Sequence, residues 1–156
     1  MVVLLTVLAF TMWSPSPIRA MQTTDEVATK IAELLDESGY VYTKHNDTVW
    51  SINRHGNYLS QFKVVVAAGP ALMVTFVTVV KKAQMNRSDD LMLMLLRQDH
   101  TYDFVKVGLD ADDDLFVRID STPRLLDLQA FKATVEQVAH SADEVYEKVR
   151  PFLNIP

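Results

Sequence analysis

A chain of 156 residues, 49% apolar and 22% charged, has the length and composition of one globular domain with its own core. Its net charge of −5, with no basic cluster longer than Lys81 and Lys82, argues against nucleic-acid binding, because neutralising phosphates takes a basic surface. The absence of cysteine excludes disulfides, thiolate zinc sites and thiol nucleophiles.

The chain opens on an apolar run at 2–13, twelve residues long and too short for a bilayer that needs about 20. Ser-Pro-Ser-Pro follows at 14–17, then Ile18, Arg19 and Ala20, a small residue with an aliphatic one two places before it. That anatomy is signal-peptide-like over 1–20, although nothing basic precedes the apolar run except the amino terminus itself. Two readings stay open: an export signal that leaves a periplasmic domain at 21–156, or an upstream extension before a true start at Met21 in a cytoplasmic protein.

Thr23 and Glu26 are spaced as a capping box, and Val27, Ile31, Leu34 and Leu35 recur at helical period up to Gly39, so a helix is expected over 25–38. The period then changes to two. Strands are expected over 40–45 and 48–53 about an Asn46-Asp47 turn, then over 58–68 and 71–82, broken at Gly69-Pro70. Residues 72–80 are apolar at nearly every position, which predicts a central strand covered on both faces.

Ser88, with Asp89 and Asp90 behind it, caps a second helix whose body at 91–96 is apolar all round. A strand is expected over 99–109, with Tyr102 and Phe104 opposite Asp103 and Val105. An acidic turn at 110–114 and a last strand over 115–119 follow, closed by Pro123. Leu128, Phe131, Val135, Val138, Ala142, Val145, Val149 and Phe152 then alternate at three and four residues, the longest regular signal in the chain. It predicts a long amphipathic helix on the sheet, with a coiled-coil seam as the other reading, and Pro151 bending or ending the helix. The fold class is α+β: an antiparallel sheet of about five strands flanked by helices, in the order α-β-β-β-α-β-β-α.

Asp110, Asp112 and Asp114 have the rhythm of a calcium loop. An EF-hand would need glycine at position six and glutamate at position twelve, and those positions hold Leu115 and Ser121. A hairpin turn between two strands explains the aspartates better than a metal site, a weak cation site being the other reading. His45, His55, His100 and His140 offer no i,i+3 or i,i+4 pair, Ser60 and Lys63 match S-x-x-K only by letter, and four glycines build no phosphate-cradling loop. No catalytic, cofactor or metal residues are assigned, and the chain reads as a non-enzyme.

What stands out is apolar surplus. Met92, Met94 and Leu95 on the second helix, with Met73 and Phe76 on the apolar strand, are the candidate interaction surface; a generous core is the competing reading.

The segment FVKVGLDADDDLFVRID at 104–120, with LLDL at 125–128 and VEQVAHSADEV at 135–145, resembles the YbjN domain family of bacterial sensory transduction regulators. The preceding order is also similar, so the likeness runs over about 25–153. The resemblance implies a type III secretion chaperone-like fold, pairing into homodimers, and binding of extended protein segments, with no catalytic or cofactor residues. The expected function is therefore a non-enzymatic protein-binding module, chaperone-like or regulatory. The alternative is a small-ligand or lipid carrier or sensor with an apolar pocket between sheet and helices. Intact-mass analysis of the protein from its native host is expected to find a periplasmic form beginning at Met21. A cytoplasmic product with that start overturns export.

Overall fold

The computed structural model describes residues 22–154. The signal-like segment 1–20 lies outside them. Helix α1 runs Thr24–Ser38, and its capping box forms as the spacing implies. The Glu26 N–H donates to Thr23 Oγ1 at 3.3 Å, and the Thr23 N–H donates to Glu26 Oε2 at 2.8 Å. Gly39 ends the helix at φ +76°, a left-handed conformation that glycine adopts without steric cost.

Strands β1 (Tyr42–Asn46), β2 (Val49–Arg54), β3 (Phe62–Gly69) and β4 (Leu72–Val80) follow, then α2 (Asp89–Thr101), β5 (Lys106–Leu109), β6 (Leu115–Ser121) and α3 (Leu128–Val149). All pair antiparallel in one six-stranded sheet of order β1-β2-β3-β4-β6-β5. The sheet has six strands where about five were expected, and four of them precede α2, since both strands about the Asn46-Asp47 turn form as separate members of the sheet.

The stripe of α3 is the core. Phe131, Val135, Val138, Ala142, Val145 and Val149 are all fully buried, against β4 and β6. Having the sheet as its partner, this stripe forms no coiled-coil seam. The helix ends at Val149, and Pro151 lies in the 3-10 turn Arg150–Phe152.

Two expectations need correction. The segment 99–109 is not one strand: residues 99–101 finish α2, and the strand is only Lys106–Leu109. Asp99 at the helix end accepts the Val107 N–H at 3.1 Å, and Phe104 sits at φ +64°, so the chain turns between them instead of extending. Tyr102 and Phe104 part company: the Tyr102 hydroxyl donates to Glu144 of α3, while Phe104 is 86% exposed. The second correction concerns β4. It is central, but its two faces differ. Met73, Thr75, Val77 and Val79 are buried beneath the helices, whereas Val74, Phe76 and Thr78 point to a face that no described helix covers. Among the described residues no helix is long and apolar enough to cross a membrane.

The late start of β3 has a local cause. Asp143, buried on α3, accepts the backbone N–H groups of Asn57 (2.8 Å), Tyr58 (2.9 Å) and Leu59 (2.7 Å). These amides cap a carboxylate and so cannot join a ladder. Burial pushes the Asp143 carboxyl up, but the three N–H groups outweigh it and hold it below its ordinary value. Gly56 is required here, since a Cβ would lie 2.2 Å from Asp143 Oδ1.

Asp143→Ala is expected to cost about 1–3 kcal/mol in urea unfolding, because it removes the shared acceptor of three backbone donors. Gly56→Ala should cost a similar amount, and the double variant clearly less than the sum, as both break one contact. Because the folded carboxyl titrates below its unfolded value, its contribution is present above about pH 4 and is lost as pH falls through the depressed value. Asp143→Ala should therefore lose less stability on acidification than the parent chain. Additive costs, or parallel acid profiles, would contradict the clamp.

Candidate interaction surface

Register builds the open face from the strands upward. Val65, Phe76 and Arg118 stand in one cross-strand row, with Lys106 next to Arg118. Ala67, Val74 and Asp120 form a second row, and Thr78, Phe116 and Gly108 a third. Gly108 leaves room for the ring opposite: a Cβ there would lie 3.3 Å from Phe116 Cζ. A shallow cavity of about 470 Å³ opens on this face, floored by Val74, Phe76 and Phe116 and bounded by Arg118 and the acidic turn.

Charge runs along the β5–β6 side of the face, with Arg118 beside Phe76 and Asp120 beside Val74. Asp120 accepts from Arg118 Nε at 2.6 Å and Nη2 at 2.9 Å, and from Lys106 Nζ at 2.8 Å. The hydrogen bond from Arg118 is the main reason the Asp120 carboxyl stays below its ordinary value. The rest of the cavity lining is Val74, Phe76, Leu109, Ala111 and Phe116 with Thr78 and Asp110.

A second apolar patch lies where α2 meets β5. Leu93 and Leu96 of α2 are 47% and 71% exposed, and Phe104, in the link from α2 to β5, is exposed as well. A cavity of about 260 Å³ sits there, lined by Met92, Leu95, Leu96 and residues 107–109.

The five residues singled out in the sequence do not form one surface. Met73 is fully buried and Leu95 nearly so, both in the core. Met92 and Met94 are half-buried on α2, and Phe76 lies on the open face. Sequence reasoning passed over Val74 and Phe116 as partners of Phe76, and Leu93, Leu96 and Phe104 as the exposed part of the α2 patch. A usable signal was present in β4: residues 73 and 76 are three apart, so in a strand they must face opposite ways.

The acidic turn is the hairpin between β5 and β6. Asp110 Oδ1 accepts the N–H groups of Asp112 (2.9 Å) and Asp114 (3.0 Å). Asp114 accepts Lys81 Nζ at 2.6 Å and the Lys82 N–H at 2.8 Å, while Asp113 pairs with Lys82 at 2.8 Å and Arg87 at 2.9 Å. The lysine and arginine contacts hold both carboxyls below their ordinary values. The turn thus ties the β5–β6 hairpin to the end of β4. Of the histidines, His45 pairs with Ser51 at 2.8 Å and His55 with the Ser60 carbonyl at 2.9 Å. His140 pairs with Glu144 at 3.3 Å, and His100 is exposed on α2. Among the described residues no three His, Cys, Asp or Glu side chains converge as a metal-holding group. Asp114→Ala is expected to lower the melting temperature, whereas millimolar calcium should leave that of the parent chain unchanged. A calcium-dependent rise would revive the cation site.

No family model and no curated protein sequence matches the chain. Solved structures do. YbjN from E. coli is similar with a TM-score of 0.59 at 16% identity, over 82% of this chain and 95% of that one. A chain of the heterodimeric ExoU–SpcU complex from the type III secretion system of Pseudomonas aeruginosa matches with a TM-score of 0.52 at 15% identity, over 80% and 98%. The Yersinia pestis type III secretion chaperone SycH, in complex with a fragment of YscM2, matches with a TM-score of 0.52 at 12% identity, over 74% and 96%. Helices on one face of a single antiparallel sheet, in this order along the chain, are the fold of YbjN and of the type III secretion chaperones.

Proposed function

We propose that this chain is a non-enzymatic, chaperone-like module that binds an extended apolar segment of a partner protein on the open face of its sheet. One observation carries the reading: the centre of a six-stranded sheet presents Val65, Val74, Phe76 and Phe116 on a face that no described helix covers. Apolar patches of that kind mark association surfaces. A segment lying across the strands can bury its own apolar side chains among these four. Solved structures of the same fold, SycH with its YscM2 fragment among them, hold partner proteins, which favours the same use here.

The second element of the reading is a homodimer through α2 and β5. Leu93, Leu96 and Phe104 give that edge an exposed apolar rim, and a two-fold axis would set each rim against its copy. The leader-like residues 1–20 favour a site of action outside the cytoplasm.

A photo-crosslinking residue at position 76 or 116 is expected to trap a protein partner that the same residue at exposed position 37, on α1, does not trap. Equal yields from both positions, or none, would sink the binding face. In light scattering, Leu96→Asp and Phe104→Asp should convert dimer to monomer with little change in melting temperature, whereas Leu91→Asp, in the core, should unfold the chain. A parent chain that is monomeric at every concentration would remove the dimer and leave the face untouched.

A further inference from the structure

We propose that in the uncleaved chain the open face is first occupied by the chain's own apolar run at 2–13, which a partner segment must displace and which loss of 1–20 removes. The inference rests on the reading of that face as a binding surface, and it names the competitor and the event that frees the site.

Three observations support it. The first is position. Helix α1 begins over the β1–β2 hairpin, where Asp25, Ala28 and Thr29 face Lys44, Asp47 and Trp50 across a cleft. Residues 14–21 join that point to the apolar run, and extended they reach ~26 Å. From the helix layer around the β1 edge to an occupant on the open face is about two layer spacings of ~10 Å, which the tether covers, and the twelve-residue run itself then spans the three strand spacings of ~4.8 Å from β1 to β4. The tether is long enough.

The second is chemistry. The run at 2–13 is valine, leucine, alanine, phenylalanine, methionine and tryptophan with two threonines, and it carries no charge. The floor residues Val74, Phe76 and Phe116 carry none either; the charges at its margin are Arg118 and Lys106, both paired with Asp120, and Asp110 of the acidic turn. An uncharged apolar segment leaves no ion stranded on that floor, whereas a charged one would.

The third is tethering. A short linker presents the run to the face at an effective concentration in the millimolar range, so a contact too weak to hold a free peptide suffices to fill the site. A partner then has to outcompete it, and the chain with 1–20 removed has no such competitor.

The chain has two tryptophans, Trp13 in the run and Trp50 buried in the core. The emission of the full chain minus that of its Trp13→Phe form therefore reports Trp13 alone. Trp13 is expected to be blue-shifted and shielded from acrylamide in a chain of unchanged size. Phe116→Asp, or Phe76→Asp on the neighbouring strand, should expose it. A Trp13 open to quencher in the parent chain overturns the proposal, as does shielding that survives both substitutions or that tracks self-association.

The second measurement uses a soluble Val/Leu-rich probe peptide with a lysine tail. It should bind residues 21–156 about tenfold more tightly than residues 1–156. Equal affinity for the two forms overturns this inference and leaves the proposed function standing. A shielded Trp13 with no probe binding to either form overturns the proposed function and, with it, displacement of the run by a partner.

Discussion

The structure depends on α3 having the inner face of the sheet. Its six-residue apolar stripe is wholly buried across β4 and β6, with α1 beside it over β3 and α2 over β5. Every described helix therefore lies on the same side. Packing of this kind fixes one layer of core and leaves a second sheet face with no helix to cover it. An antiparallel sheet ordinarily meets that situation with polar residues on the outer face. Here the outer positions of β3, β4 and β6 include Val65, Val74, Phe76 and Phe116 among the polar Lys63, Thr78, Arg118 and Asp120. The departure costs solubility unless something covers it, and that is the physical content of the functional reading.

The sheet edges are poorer candidates for the same role. β1 is mostly exposed, but its ladder is interrupted between Lys44 and Asn46, and its outward residues are polar or charged. β5 has only four residues and begins at Lys106. Short strands, irregular registers and lysines are the usual means of discouraging a foreign strand. With both edges guarded and the inner face filled, the open face and the α2–β5 rim are where apolar side chains are grouped; Val41 and Leu125 are exposed singly elsewhere.

How much of this could be read in advance follows from how local each signal is. The capping box at Thr23 and Glu26, the serine cap at Ser88 and the stripe of α3 depend on residues within a turn or two of one another, and all are found where the spacing puts them. The period-two pattern at 102–105 was accidental: Tyr102 answers to Glu144, 42 residues away, and the backbone at Phe104 leaves extended geometry altogether. The Asp143 clamp had no sequence signal, since its three donors lie 84 to 86 residues before it. In the same way, the acidic turn was legible as a hairpin, but its attachment to Lys81, Lys82 and Arg87 was not. Of the site, composition announced an apolar excess without saying which residues escape the core. That division is made by strand parity and by which helix face meets the sheet, as Met73 and Phe76 demonstrate from opposite sides of β4.

Geometry also weighs between a protein partner and a small ligand. Tight small-molecule sites bury most of the ligand, roughly 70–90% of its surface, within concave walls. Between the helices and the sheet the space is taken by side chains such as Phe131, Met73 and Val77, all with no accessible surface. The 470 Å³ cavity lies instead on the open face, where one wall is the sheet and the opposite side is water. A fatty chain laid there would keep half its surface wet. A polypeptide segment differs in having two kinds of side chain: alternate residues can turn toward Val74, Phe76 and Phe116 while the others stay hydrated. An extended protein segment also brings a polar backbone that can stay hydrated beside the residues that fill the floor, which a lipid tail does not.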